Sequence, residues 1–70
     1  MKNDSDLLAG REVIIEISSA GGNVARISAM DVKTLVEISI QGPMNAPEET
    51  LRRNALKRLE YVLKKRGILV

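Results

Sequence analysis

The hydrophobic pattern of this chain changes its period once, at Pro47, and that change dictates an α+β fold. Upstream of it, apolar residues recur at every second position in three separate stretches. Val13, Ile15 and Ile17 point one way while Glu12, Glu16 and Ser18 point the other. From Val24 to Met30, Ala25, Ile27 and Ala29 alternate with Arg26 and Ser28. From Leu35 to Gln41, Val36, Ile38 and Ile40 alternate with Glu37 and Ser39. Period two is the signature of half-buried strands. Gly21-Gly22-Asn23 and Asp31-Val32-Lys33-Thr34 are turn signals between them. Turns this short predict consecutive antiparallel pairing, a three-stranded meander with Val24–Met30 in the middle.

Downstream of Pro47 the period is that of a helix. Pro suits the first helical turn, where its missing N–H costs nothing. Glu48 and Glu49 complement the positive end of the helix dipole, and Lys64, Lys65 and Arg66 the negative end. Gly67 is a stop signal, so the helix is expected over about 47–66. Leu51, Ala55, Leu56, Leu59, Val62 and Leu63 share one arc of that helix, which is expected to cover one face of the sheet, with Leu59 fully buried. The predicted fold is therefore β-β-β-α: a three-stranded antiparallel meander with one C-terminal α-helix packed on one face. Residues 1–10 read as a flexible N-terminal tail and 11–70 as a single domain.

Composition removes several kinds of chemistry. The 70 residues include neither cysteine nor histidine, so no thiolate, disulfide or imidazole is available. No cofactor is expected. Ser18, Ser19, Ser28 and Ser39 have no histidine to act as base. No Gly-Lys-Ser/Thr follows Gly21-Gly22, which is a hairpin turn and not a phosphate loop. Glu12, Glu16 and Glu37 share the outer sheet face with Arg26 and Ser28 between them. A flat face offers no pocket to desolvate a carboxylate, so cross-strand charge pairing is the expected reading, and no enzyme activity. Residues 1–9 lack the hydrophobic region of a signal peptide, and no apolar run approaches the roughly 18 residues of a membrane span. These features predict a cytoplasmic protein with no membrane partner and no small-molecule substrate.

Two surfaces remain as candidates for partners. Keeping the inward residues together pairs residue 14 with 30 and residue 30 with 35. Ile14, Met30 and Leu35 then form an apolar row on the outer face, expected as a homodimer interface because a patch of this kind marks association. The competing expectation is that Leu7-Leu8 or Ile68-Leu69-Val70 covers the row. A homodimer also suits an unstapled core this thin. The second surface is the helix. Residues 1–50 carry four basic and eight acidic side chains, and residues 51–70 seven basic and one acidic. Arg53, Lys57, Tyr61 and Lys64 lie opposite the apolar arc, a possible contact for phosphates or for an acidic protein. Arg52 falls inside the apolar arc and is expected to reach solvent or Glu48. The leading reading is a non-enzymatic, homodimeric protein-interaction module; the alternative is a nucleic-acid-binding protein using the basic helix face.

The segments EVIIEI, NVARISAMD, VEISIQGPMNAPEETLRRNALKRLEYVL and KKR resemble a small bacterial family of uncharacterised proteins. Some of its members carry the label serine hydroxymethyltransferase. That label does not transfer, because the enzyme needs a large pyridoxal-phosphate fold. The resemblance implies a Thr-Gly pair in the second turn, where this chain has Thr34-Leu35. It implies no activity. The β-β-β-α order is also similar to part of double-stranded RNA-binding domains, but those have a preceding helix and a basic start to the last helix. Here that start is Pro47-Glu48-Glu49.

Overall fold

A computed structural model describes Leu8 and residues 10–69. Three strands, β1 (Val13–Ser19), β2 (Val24–Asp31) and β3 (Glu37–Pro43), precede one helix, α1 (Glu48–Lys65). The strands form an antiparallel sheet in the order β1-β2-β3, as the alternation predicts. Helix α1 packs over β2 and β3. Ile27, Leu56, Leu59 and Leu63 form the fully buried centre of the contact. Ala25 and Ala29 are also fully buried; their small side chains let the helix approach the central strand closely. Gly42 does the same on β3, since a methyl group there would sit 2.8 Å from Leu51 Cδ2.

The ends of α1 follow from the residues that flank it. Pro47 is the N-cap with an extended backbone, and Glu48 and Glu49 occupy the first turn. At the other end Gly67 takes φ 76°. Its N–H donates to the Lys64 carbonyl at 3.0 Å and the Ile68 N–H donates to the Leu63 carbonyl at 2.9 Å. These two bonds are the Schellman closure, which satisfies carbonyls that the helix leaves free and turns Ile68 back toward the core.

The first hairpin has the register expected from the pattern, with Ile14 opposite Met30. The second differs. Met30 lies opposite Glu37, not Leu35, and β3 begins two residues later than the alternation suggests. A slip of two residues keeps every side chain on its own face, so patterning alone does not distinguish the two registers. The turn decides it. Asp31 N–H donates to the Val36 carbonyl at 2.9 Å and Leu35 N–H to the Asp31 carbonyl at 2.7 Å. Leu35 therefore sits in the loop, outside the row that Ile14 and Met30 begin.

The chain ends also depart from expectation. Leu8 is buried in the core, and Ile68 and Leu69 pack against it. None of the three covers the outer sheet face; Leu7 and Val70 lie outside the described residues. On the inner face, Val13, Ile15 and Ile17 of β1 are half-buried, as are Ile38 and Ile40 of β3, whereas Ala25, Ile27 and Ala29 of the central strand are fully buried.

Leu35 has φ 63° and is 69% exposed. A left-handed backbone costs a side-chain-bearing residue roughly 1–2 kcal/mol, and a glycine almost nothing. Replacing Leu35→Gly removes a side chain that packs on little of the fold. After the entropy glycine adds to the unfolded chain, the variant is expected to be about 0.5–1 kcal/mol more stable. Urea unfolding followed by circular dichroism checks this; an unchanged or lower midpoint contradicts it.

Candidate functional site

On the outer face of the sheet the registers place side chains in rows: Ile14, Met30 and Glu37; Glu16, Ser28 and Ser39; Ser18, Arg26 and Gln41. Contrary to the expectation of a flat face, the sheet holds a shallow, open depression of about 240 Å³ lined by Glu16, Ser18, Arg26, Ser28 and Glu37. Sheet twist and the small Ser18 and Ser28 side chains between long ones account for the hollow. Among the described residues the Arg26 side chain makes no ion pair or hydrogen bond, although Glu16 and Glu37 line the same depression. The apolar members lie at the ends of this face. Ile14 is 49% exposed, Met30 is half-buried and Val24 is exposed near the first turn.

The exposed side of α1 carries Arg53, Lys57, Tyr61 and Lys64, as its period predicts. The structure fills in their neighbours. Arg53 pairs with Glu49 at 3.6 Å and Lys64 with Glu60 at 3.6 Å. Arg52 escapes the apolar arc by reaching Glu48 at 3.9 Å. Exposed pairs of this kind contribute little to stability and yield readily to another partner. The Arg58 guanidinium and the Lys65 ammonium approach the Tyr61 ring at 5.3 and 5.9 Å from its centroid. Tyr61 thus holds two cations around one exposed ring, within the range of a cation–π contact.

Sequence reasoning missed a third cluster. Asp31, fully buried, receives two hydrogen bonds from Arg11: Nε to Oδ1 at 3.0 Å and Nη2 to Oδ2 at 2.8 Å. The Thr34 hydroxyl and N–H also donate to Oδ2. Thr34 Oγ1 in turn accepts from the Val36 N–H at 3.3 Å. The cluster ties the residue entering β1 to the turn that sets the β3 register. Asp31 opening a turn with Thr34 three residues on was the legible half of this signal. Arg11 was not legible as its partner until the β1–β2 register placed the two side by side.

Among the described residues no group of His, Cys, Asp or Glu is arranged to hold a metal. No helix is long and apolar enough to cross a membrane. Comparison with known families gives a match over residues 10–66 to a family described as Domain of unknown function (DUF6898). The chain belongs to that family. No curated protein and no solved structure matches it. Everything described above except Leu8 and the last residues lies inside the DUF6898 segment, including Arg11, Asp31 and Thr34.

The Arg11 and Thr34 hydrogen bonds hold the Asp31 carboxyl down at a pKa of about 2, against 3.8 for the free side chain. A carboxyl with a depressed folded-state pKa stabilises the fold above its unfolded value and loses that contribution as pH falls through the folded value. For Asp31 the window runs from about pH 4 down to about pH 2. Charge-assisted hydrogen bonds of this kind are worth about 1.5–3 kcal/mol. Asp31→Asn is therefore expected to be less stable than wild type by about that amount at pH 7. Thermal melts of both proteins between pH 7 and pH 2 are expected to converge below pH 4. A constant difference down to pH 2 contradicts the assignment.

Proposed function

We propose that this DUF6898 domain is a non-enzymatic protein-interaction module that works as a homodimer. The observation that carries the reading is the apolar edge strand β1. Val13, Ile15 and Ile17 on its inner face stay half-buried although Leu8, Ile68 and Leu69 pack into the same core, and Ile14 on its outer face is 49% exposed. Apolar side chains on both faces of one edge strand form a continuous region that association buries. Met30 beside Ile14 extends this region, whereas Leu35, displaced by the second hairpin's register, lies apart from it. Sedimentation equilibrium of the full chain is expected to give a dimer at micromolar concentration. A monomer at about 100 µM, far above the range in which a modest interface saturates, contradicts the reading.

Phosphate binding by α1 is a second reading, supported by Lys57, which has no ion pair among the described residues, beside the exposed Tyr61. Four neutralised phosphates predict roughly a hundredfold loss of affinity for random RNA or DNA between 50 and 200 mM salt. Weak binding with no salt dependence rules this reading out.

A further inference from the structure

The two edges of the sheet are built differently. In an antiparallel pair, alternate residues turn both backbone groups toward the neighbouring strand and those between turn them away. The Glu12 carbonyl accepts from Val32 N–H at 3.0 Å, and Ala20 N–H donates to Val24 at 2.8 Å, so even-numbered residues of β1 face β2. Val13, Ile15 and Ile17 therefore turn their N–H and C=O groups outward, and the same three residues carry the half-buried inner side chains. On β3, Asp31 N–H bonded to Val36 turns the even-numbered residues toward β2, so Glu37, Ser39, Gln41 and Pro43, whose side chains lie on the outer face, turn their backbone groups outward. Polar side chains and a proline that lacks a donor guard that edge. The β1 edge has neither proline nor lysine, and its residues are β-branched and apolar.

We propose that two copies of this chain join by antiparallel pairing of β1 with β1 about a two-fold axis at Ile15, giving one six-stranded sheet with both helices on the same face. The proposal rests on the reading of the domain as a homodimer and specifies its interface. The register follows from the residues. Only pairings that keep inner residues opposite inner residues preserve the faces. An axis at Glu16 sets two glutamates face to face, and an axis at Ile14 sets Glu12 against the partner's Glu16. An axis at Val13 sets Ile15 against the partner's Arg11, and an axis at Ile17 sets Ile15 against the partner's Ser19 and Val13 against the partner's Gly21. The axis at Ile15 pairs Ile15 with itself and Val13 with the partner's Ile17, and each such pair exchanges both N–H···O bonds. Because α1 covers β2 and β3, it leaves this edge open to the incoming strand.

Charge favours the same register. It sets Ser18 opposite the partner's Glu12. Arg26 lies opposite Ser18 within its own sheet. Arg26 and the partner's Glu12 then share one row on the outer face, two strand spacings or about 9–10 Å apart between Cα atoms, with only a serine between. An arginine and a glutamate span that gap. Neither has an ion pair among the described residues of one chain, and the two-fold axis makes the contact twice.

Amide hydrogen exchange by NMR on the full chain, at concentrations above and below the dimer dissociation constant, tests the edge. The amides of Val13, Ile15 and Ile17 are expected to slow in step with dimerisation, while those of Ile14, Glu16 and Ser18 are protected throughout. A charge exchange tests the register. Arg26→Glu is expected to raise the dimer dissociation constant about tenfold, and Arg26→Glu with Glu12→Lys to recover most of the loss. A dimer whose three edge amides exchange freely overturns this interface and leaves self-association standing. Protection independent of concentration means the chain covers its own edge, and overturns it also. A monomer at every concentration overturns both this inference and the functional reading beneath it. Edge protection with no recovery in the double variant overturns the register.

Discussion

A single helix cannot cover a three-stranded sheet, and the rest of this molecule follows from how the shortfall is distributed. An α-helix with its side chains is about 10–12 Å across, whereas three strands with their flanking side chains are wider. Here α1 settles over β2 and β3, where Ala25, Ala29 and Gly42 let it come close. The central strand is consequently the most deeply buried, and both edge strands keep their inner faces half-exposed. Leu8 from before the sheet and Ile68 and Leu69 from after the helix add apolar cover to the same core. The segments flanking the four elements are part of how a short chain without disulfides assembles enough burial to fold.

The buried Asp31 complements that packing with a directional constraint. Hydrophobic contact tolerates sliding, but a carboxylate with Arg11 on one side and Thr34 on the other does not. The network holds the start of β1 and the β2–β3 turn to one another. No buried side-chain nitrogen or oxygen among the described residues lacks a partner, so the polar group stabilises without leaving an unmet bond. Leu35 lies immediately beyond this network, in a left-handed conformation that the closing Asp31–Val36 pair requires.

The architecture was legible in the sequence because it depends on periodicity: the alternation around Ile15, Ile27 and Ile38, and the helical arc through Leu59, give elements and faces directly. The helix boundaries were legible because Pro47 and Gly67 act locally. Strand register in the second hairpin was not, since a two-residue slip leaves Val36, Ile38 and Ile40 on the same face in either arrangement. What chooses between them is a turn closed by side-chain bonds to Asp31, and polar geometry leaves little trace in a hydrophobic pattern. The burial of Leu8 was hidden for a related reason: the short apolar run Leu7-Leu8-Ala9 has no period. Of the candidate partner surfaces, the face carrying Tyr61 on the helix was readable, whereas the hollow around Arg26 depends on sheet twist that a one-dimensional pattern does not contain.

Pro43 and the polar residues that precede it on β3 have a consequence for how large an assembly can grow. A sheet that invites strand addition on both sides has no natural end, and copies add until a fibre forms. In this chain the invitation stands on one side only. Two copies that use it consume it, and what they then present at either end is the inhospitable β3 margin. In the proposed dimer the guarded β3 margins are what end the sheet on both sides.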